Sequence, residues 1–231
     1  SSTTDESSIL FDITPPDNFQ LDSAYAVGGN EIFGYWNASN NSIVLETPIS
    51  ITDESLVGGS FQPLISIGGG EFENFGSSIE IIEVPETGSV FLEISGNIFE
   101  SMSNYADNIN AIFTTKIIDK AGNETQGLSD GTIIHVDEII PTLDSIGIST
   151  NNALSSNWAT SSDNIALEWI SNEGLNNVIS IIINDTTIVN ADESGKVHNT
   201  QRAVNLNDTE GPVTFSLFFS DSAGNLSLIH I

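Results

Sequence analysis

One five-residue turn occurs twice in this chain, each time after an apolar run, and no other feature narrows the fold as far. Ile118-Asp119 leads into Lys120-Ala121-Gly122-Asn123, and Ser220-Asp221 leads into Ser222-Ala223-Gly224-Asn225. A second signal recurs with it. Phe11-Asp12-Ile13-Thr14-Pro15-Pro16 near the start matches Val136-Asp137-Glu138-Ile139-Ile140-Pro141 in the middle, with an Asp four residues ahead of a Pro in both. An opening and a closing signal that both appear twice define two units built to one plan. The chain has 231 residues, more than the roughly 100–150 of a usual domain, so each unit has the length to bury its own core. The seam falls at Asp137. It gives a longer first unit over 1–137, with an N-terminal extension over 1–9, and a second over 138–231. The very short acidic linker predicts stacked units, in a rod, rather than beads on a flexible string.

Between these signals the chain alternates short apolar runs with clusters of Gly, Asn, Asp, Ser and Pro, the pattern of an all-β sandwich or barrel. Strands are expected over 43–51, 61–67, 79–84, 90–94, 109–118 and 132–136. In the second unit they are expected over 145–149, 165–170, 178–183, 197–206, 213–219 and 226–231. Turns are expected at Val57-Gly58-Gly59, at Gly68-Gly69-Gly70 and at Asp192-Glu193-Ser194-Gly195. No segment carries a convincing helical period.

Charge excludes several partners. Thirty-two acidic residues stand against Lys116, Lys120, Lys196 and Arg202, for a formal net charge of −28. Binding nucleic acid needs clustered Lys and Arg to displace counterions, and the chain has none. The same balance disfavours an anionic membrane surface. No apolar run approaches the roughly 18–20 residues that span a bilayer, so no membrane insertion is expected of this segment. Such self-repulsion calls for screening by salt or by divalent cations held between carboxylates. Cysteine is absent, which removes disulfides and thiolate metal sites. Ser1 to Ser8 is polar and acidic and does not read as a signal peptide.

The repeated Asp-x-Ala-Gly-Asn turn and Asp-x-x-x-Pro opening resemble the bacterial immunoglobulin-like repeats found in tandem in large extracellular, adhesin-type surface proteins. Ser162-Asp163-Asn164-Ile165-Ala166-Leu167 and Ser171-Asn172-Glu173-Gly174-Leu175 in the second unit are similar to the wording of that family. The first unit resembles a longer variant through Gly34-Tyr35-Trp36-Asn37-Ala38-Ser39-Asn40. The resemblance spans the chain from about Phe11 onward. It implies two tandem immunoglobulin-like β-sandwich domains on the cell surface or in a secreted protein. It implies neighbouring repeats of the same parent chain, or other copies, as partners.

Calcium is the best-supported ligand. It takes six to eight oxygens from carboxylates, amides and backbone. In an immunoglobulin-type topology the turn between the last two strands lies at the end where the first strand begins. That places Asp221 and Asn225 near Asp137, Glu138 and Glu173, with Asn172 at the same end. The corresponding first-unit set is Asp119, Asn123, Asp12 and Asp53, with Glu54 alongside. The same Asp and Asn also serve a turn that needs no metal, holding its backbone while Gly takes a positive φ. Neither turn is an EF-hand loop, since Ala121 and Ala223 stand where its third-position oxygen ligand belongs.

Catalytic patterns are missing: no Gly-x-Ser-x-Gly elbow, His-Glu-x-x-His, Walker loop or dinucleotide fingerprint occurs. His135, His198 and His230 read as ordinary strand positions rather than a zinc set. Acidic pairs such as Glu71 with Glu73 and Asp192 with Glu193 arise by chance in so acidic a chain. The expectation is therefore a non-enzymatic structural or adhesive module, a spacer stiffened by calcium, facing a protein or glycan receptor. Two alternatives stand beside it. One is a carbohydrate-binding module using exposed Trp36 and Trp158, with Trp169 in the core. The other is a filament subunit that exchanges strands at an open sheet edge, for which the apolar run ending at Ile231 is the candidate.

Overall fold

The computed structural model describes residues 9–183, 186–188 and 195–230. It is nearly all β, with 45% strand and 2% helix. It divides into two compact units, one of residues 1–36 and 40–136, the other of residues 37–39 and 137–231. Among the described residues no helix is long and apolar enough to cross a membrane. The expected turn at Asp192-Glu193-Ser194 lies outside the described residues.

The first unit contains β1 (Ser23–Val27), β2 (Tyr35–Trp36), β3 (Ser42–Pro48), β4 (Ser60–Ile67), β5 (Glu73–Asn74), β6 (Ile79–Glu80) and β7 (Ser89–Ser95). A single turn of helix, α1 (Gly96–Glu100), precedes β8 (Asn110–Ile118), β9 (Glu124–Gln126) and β10 (Ile134–Val136). One sheet runs β1-β3-β7; the other runs β2-β10-β8-β4-β5, with β6 on β4 and β9 on β8. Alternation along the strands sends one row of each sheet inward. Ile43 and Leu45 of β3 stand opposite Ile94 and Leu92 of β7. On the other sheet, Phe61, Ile65 and Ile67 stand opposite Ile117, Phe113 and Ala111. All ten belong to one buried core that draws on both sheets. Thr47 and Thr115 meet there through their hydroxyls at 2.9 Å, so two buried polar groups satisfy each other.

The second unit contains β11 (Leu143–Thr150), β12 (Asn164–Ile183), β13 (Thr186–Ile188), β14 (Gly195–Ala203), β15 (Phe215–Asp221) and β16 (Leu226–His230). β12 is the spine. Its first half pairs β11 and β14, its second half β13 and β15, and β15 in turn pairs β16. Ile165, Leu167 and Trp169 alternate inward and meet Leu175, Phe215, Leu217 and Phe219 in the core. Trp169 stacks on His198 at 5.3 Å between ring centroids.

Several expected elements differ. The runs 165–170 and 178–183 are one strand, with register shifts near 170–180. The stretch between them, Ser171-Asn172-Glu173-Gly174, belongs to that strand, and side chains and neighbours supply it with ladder-like partners. Asn172 exchanges hydrogen bonds with Thr142, its N–H to the Thr142 carbonyl at 3.0 Å and its Oδ1 from the Thr142 N–H at 2.8 Å. Such an irregularity lets one strand change neighbours midway. β1 and α1 were not expected: β1 opens on Ser23 and carries two Ala, which favour strands weakly, and one turn is too short to show a helical period. The expected strand 79–84 shrinks to Ile79–Glu80. Gly68-Gly69-Gly70 is a hairpin turn between β4 and β5, with φ of 61° and 78° at its first two residues.

Candidate metal centre

The two closing turns share one hydrogen-bonding plan. In the first unit the Asn123 N–H donates to Asp119 Oδ1 and its Nδ2 to Asp119 Oδ2, both at 2.8 Å. In the second, the Asn225 N–H donates to Asp221 Oδ1 and its Nδ2 to Asp221 Oδ2, both at 2.9 Å. The chain turns at the same place in each, because Gly122 and Gly224 adopt φ of 93° and 90°. L side chains disfavour that region, so glycine suits it. The Asn side chain then reaches back to the opening of its unit. Asn123 Nδ2 donates to the Asp12 carbonyl at 3.4 Å, and Asn225 Nδ2 to the Asp137 carbonyl at 2.8 Å. Each unit's lead-in is thus tied to its closing hairpin.

Among the described residues, carboxylates gather at this place in the second unit alone. Asp137, Glu173 and Asp221 each bring one oxygen, and these oxygens lie within 4.8 Å of one another. Two oxygens on one calcium ion at 2.3–2.6 Å stand at most about 4.6–5.2 Å apart, so the three carboxylates fit a shared ion. The donor set is all oxygen and carries three negative charges, which suits a hard cation rather than zinc. Asp221 is 2% exposed, so its charge sits where water screens it little. The carboxylates come from the linker, from the irregular stretch of β12, and from the end of β15.

The other expected ligands fall elsewhere. Glu138 does not join the three. Asn225 turns its amide N–H groups toward Asp221 and Asp137, while its Oδ1 accepts from the Ala38 N–H at 3.1 Å. It acts as a clasp rather than a ligand. In the same unit Asn37 Nδ2 donates to the Ala223 carbonyl at 2.7 Å.

In the first unit Asp12, Asp53 and Asp119 form no such group among the described residues. Asp12 Oδ1 accepts from the Thr14 N–H at 3.0 Å. Asp53 Oδ1 accepts from the Ser55 N–H at 3.0 Å and the Ser55 hydroxyl at 2.6 Å. Both spend an oxygen on their own turns. Burial works against the charge on Asp119, but the Asn123 side chain and the backbone N–H groups of Asn123, Gly122 and Ala121 outweigh it. They hold its carboxyl below the ordinary value.

Lys196 was not singled out from the sequence. Its Nζ donates to the Asn172 carbonyl at 2.6 Å and so fastens the stretch that presents Glu173. A lone Lys in a chain with four basic residues was the available signal.

The aromatic candidates separate. Trp36 is 0% exposed, edge-on to Phe99 at 5.2 Å, and so is no sugar platform. Its polar sequence neighbours concealed the cause, a site opened by Gly96, where a Cβ would lie 2.6 Å from the indole ring. Trp169 is buried, and Trp158 is 76% exposed. Of the two tryptophans that a glycan-facing role would use, Trp158 alone is exposed. No family model matches the chain, and no curated protein matches it.

Proposed function

We propose that this chain is a non-enzymatic structural module. Its two units are immunoglobulin-like β-sandwiches that form a spacer segment of a tandem array in an extracellular bacterial protein, and calcium stiffens the second. The observation that supports this reading is the duplicated closing turn, whose Asn clasps the opening of its own unit in both copies. A fastening between the first and last segments of a unit resists separation of those segments, which is the demand placed on a spacer. The carboxylates of Asp137, Glu173 and Asp221 are the place where calcium would bind, with water and backbone carbonyls completing its shell.

Thermal melting in calcium and in a chelator tests the calcium component. A ligand that binds only the folded state adds about 2.7 kcal/mol at a hundred times its Kd. The transition of the second unit is expected to rise with calcium and that of the first to stay. Glu173→Gln is expected to remove the rise. An equal melting profile with and without calcium removes the ion from the reading. Turnover of any member of a glycan and peptide substrate panel removes the non-enzymatic claim.

A further inference from the structure

The strand that closes each unit carries the same four-residue wording. β10 with the residue before it reads Ile133-Ile134-His135-Val136, and the end of the chain reads Leu228-Ile229-His230-Ile231. Both strands run antiparallel to the strand that precedes the closing turn, although not at the same distance from that turn. His135 stands opposite Asn110 in β8, and His230 opposite Ser216 in β15. Each His meets that partner through Nδ1, at 2.9 Å to Asn110 Oδ1 and at 2.8 Å to Ser216 Oγ. The residue before each His points inward: Ile134 is fully buried, and Ile229 packs on the second core. The residue before that is exposed in both, Ile133 at 52% and Leu228 at 57%.

The residues ahead of the first opening keep the two inward apolar places of this wording, with Leu10 where the His stands. Ser8-Ile9-Leu10-Phe11 precedes Asp12 as Ile133-Ile134-His135-Val136 precedes Asp137. Ile9 takes the place of the inward Ile134 and Ile229, and Phe11 that of the fully buried Val136. These side chains have no core here: Ile9 is 95% exposed, Leu10 91% and Phe11 87%. In both units the strand place that this wording fills is already taken, by β10 on β8 and by β16 on β15.

We propose that Ile9–Phe11 is a closing strand whose sheet belongs to another unit of this same repeat type, so that the segment is an interaction element and its partner a β-sandwich lacking its last strand. Ile9 and Phe11 enter that partner's core, Leu10 faces outward, and the partner strand presents a small polar residue opposite Leu10. The proposal deepens the tandem-array reading and rests on it.

The test removes Leu226–Ile231, which opens β15 for a strand. Light scattering across a concentration series then follows assembly, with the Ile9–Phe11 segment of one copy closing the second unit of the next. Because that contact is head-to-tail and does not close on itself, open-ended oligomers are expected. Ile9→Asp or Phe11→Asp is expected to abolish them and Leu10→Asp to leave them, since strand side chains alternate faces. A monomer whose second unit still melts cooperatively overturns the proposal, as does equal loss in Leu10→Asp. If the truncated unit does not fold, the untruncated chain carrying Leu228→Ser, His230→Leu and Ile231→Phe decides. Its second unit is expected to melt within a few degrees of the parent, and a collapse overturns the proposal. None of these failures alters the calcium melting result, so the two readings fail separately.

Discussion

Asp119 and Asp221 are the same residue of one turn in two surroundings, and both are nearly excluded from water, at 3% and 2% exposure. In each, two carboxylate oxygens accept from one Asn, so the anion replaces lost hydration with charge-assisted hydrogen bonds. Hydrogen bonds to charged groups contribute about 1.5–3 kcal/mol, and Asp119→Ala is expected to lose that much by urea unfolding of the first unit. The carboxyl of Asp119 is held below its ordinary value, so the unfolded chain takes up the proton more readily than the folded one. Its contribution is therefore complete above the unfolded value, near 4, and is lost as pH falls through the lower folded value. The stability gap between the parent and Asp119→Asn is expected to be widest at pH 7 and to narrow below about pH 4. A gap that stays constant down to pH 3 refutes this account.

At the scale of elements, the close approach of the 57–59 loop to the end of β8 holds the first closing turn in place. A Cβ on Gly59 would lie 2.1 Å from the Ile118 carbonyl oxygen and 2.9 Å from backbone atoms of Asp119. Backbone cannot move aside as a side-chain tip can. Gly59→Ala is expected to cost about 2–3 kcal/mol through overpacking. Gly58→Ala meets only the flexible Lys120 stem, at 3.5 Å, and pays chiefly for its φ of 88°. Its cost is expected to be about 1–2 kcal/mol. Equal losses in denaturant titrations of the two variants remove the close approach as the cause. The closing hairpins were legible in the sequence because Asp, Gly and Asn act within five residues of one another. β12 was not, because Ser171-Asn172-Glu173-Gly174 has turn residues whose partners, Thr142 and Lys196, are remote in sequence. The convergence of Asp137, Glu173 and Asp221 followed from topology, whereas Asp12 and Asp53 turned to their own backbones, a local preference that competes with any shared site. Burial of Trp36 depended on one glycine sixty residues away, Gly96, which no local pattern announces.

At the scale of the whole molecule, a net charge of −28 has to be tolerated with little help from its own cations. Lys116 pairs with Glu124 at 3.1 Å. Arg202 forks onto both oxygens of Asp208, at 2.7 and 2.5 Å, which raises the Arg202 value and lowers that of Asp208. Lys196 is engaged by the Asn172 carbonyl. The two ion pairs neutralise charge locally, the Lys196 contact to a neutral carbonyl does not, and the general excess is left to the solvent. Raising salt from 0.01 M to 1 M shortens the screening length from about 30 Å to about 3 Å, which weakens repulsion between distant carboxylates in the compact state more than in the expanded one. Both unfolding transitions are therefore expected to rise with sodium chloride. A gain of about 1–2 kcal/mol corresponds to roughly 4–16 °C for the second unit and to a smaller rise for the longer first unit. Screening depends on ionic strength and not on the identity of the cation, whereas the three-carboxylate group asks for a particular coordination. At constant ionic strength, replacing part of the sodium by calcium is thus expected to raise the second transition alone, and replacing it by magnesium to raise it less, because magnesium gives up its water reluctantly. Melting temperatures that do not change with sodium chloride show that self-repulsion does not limit the folded state, and equal effects of calcium and magnesium on both transitions assign the divalent response to screening alone.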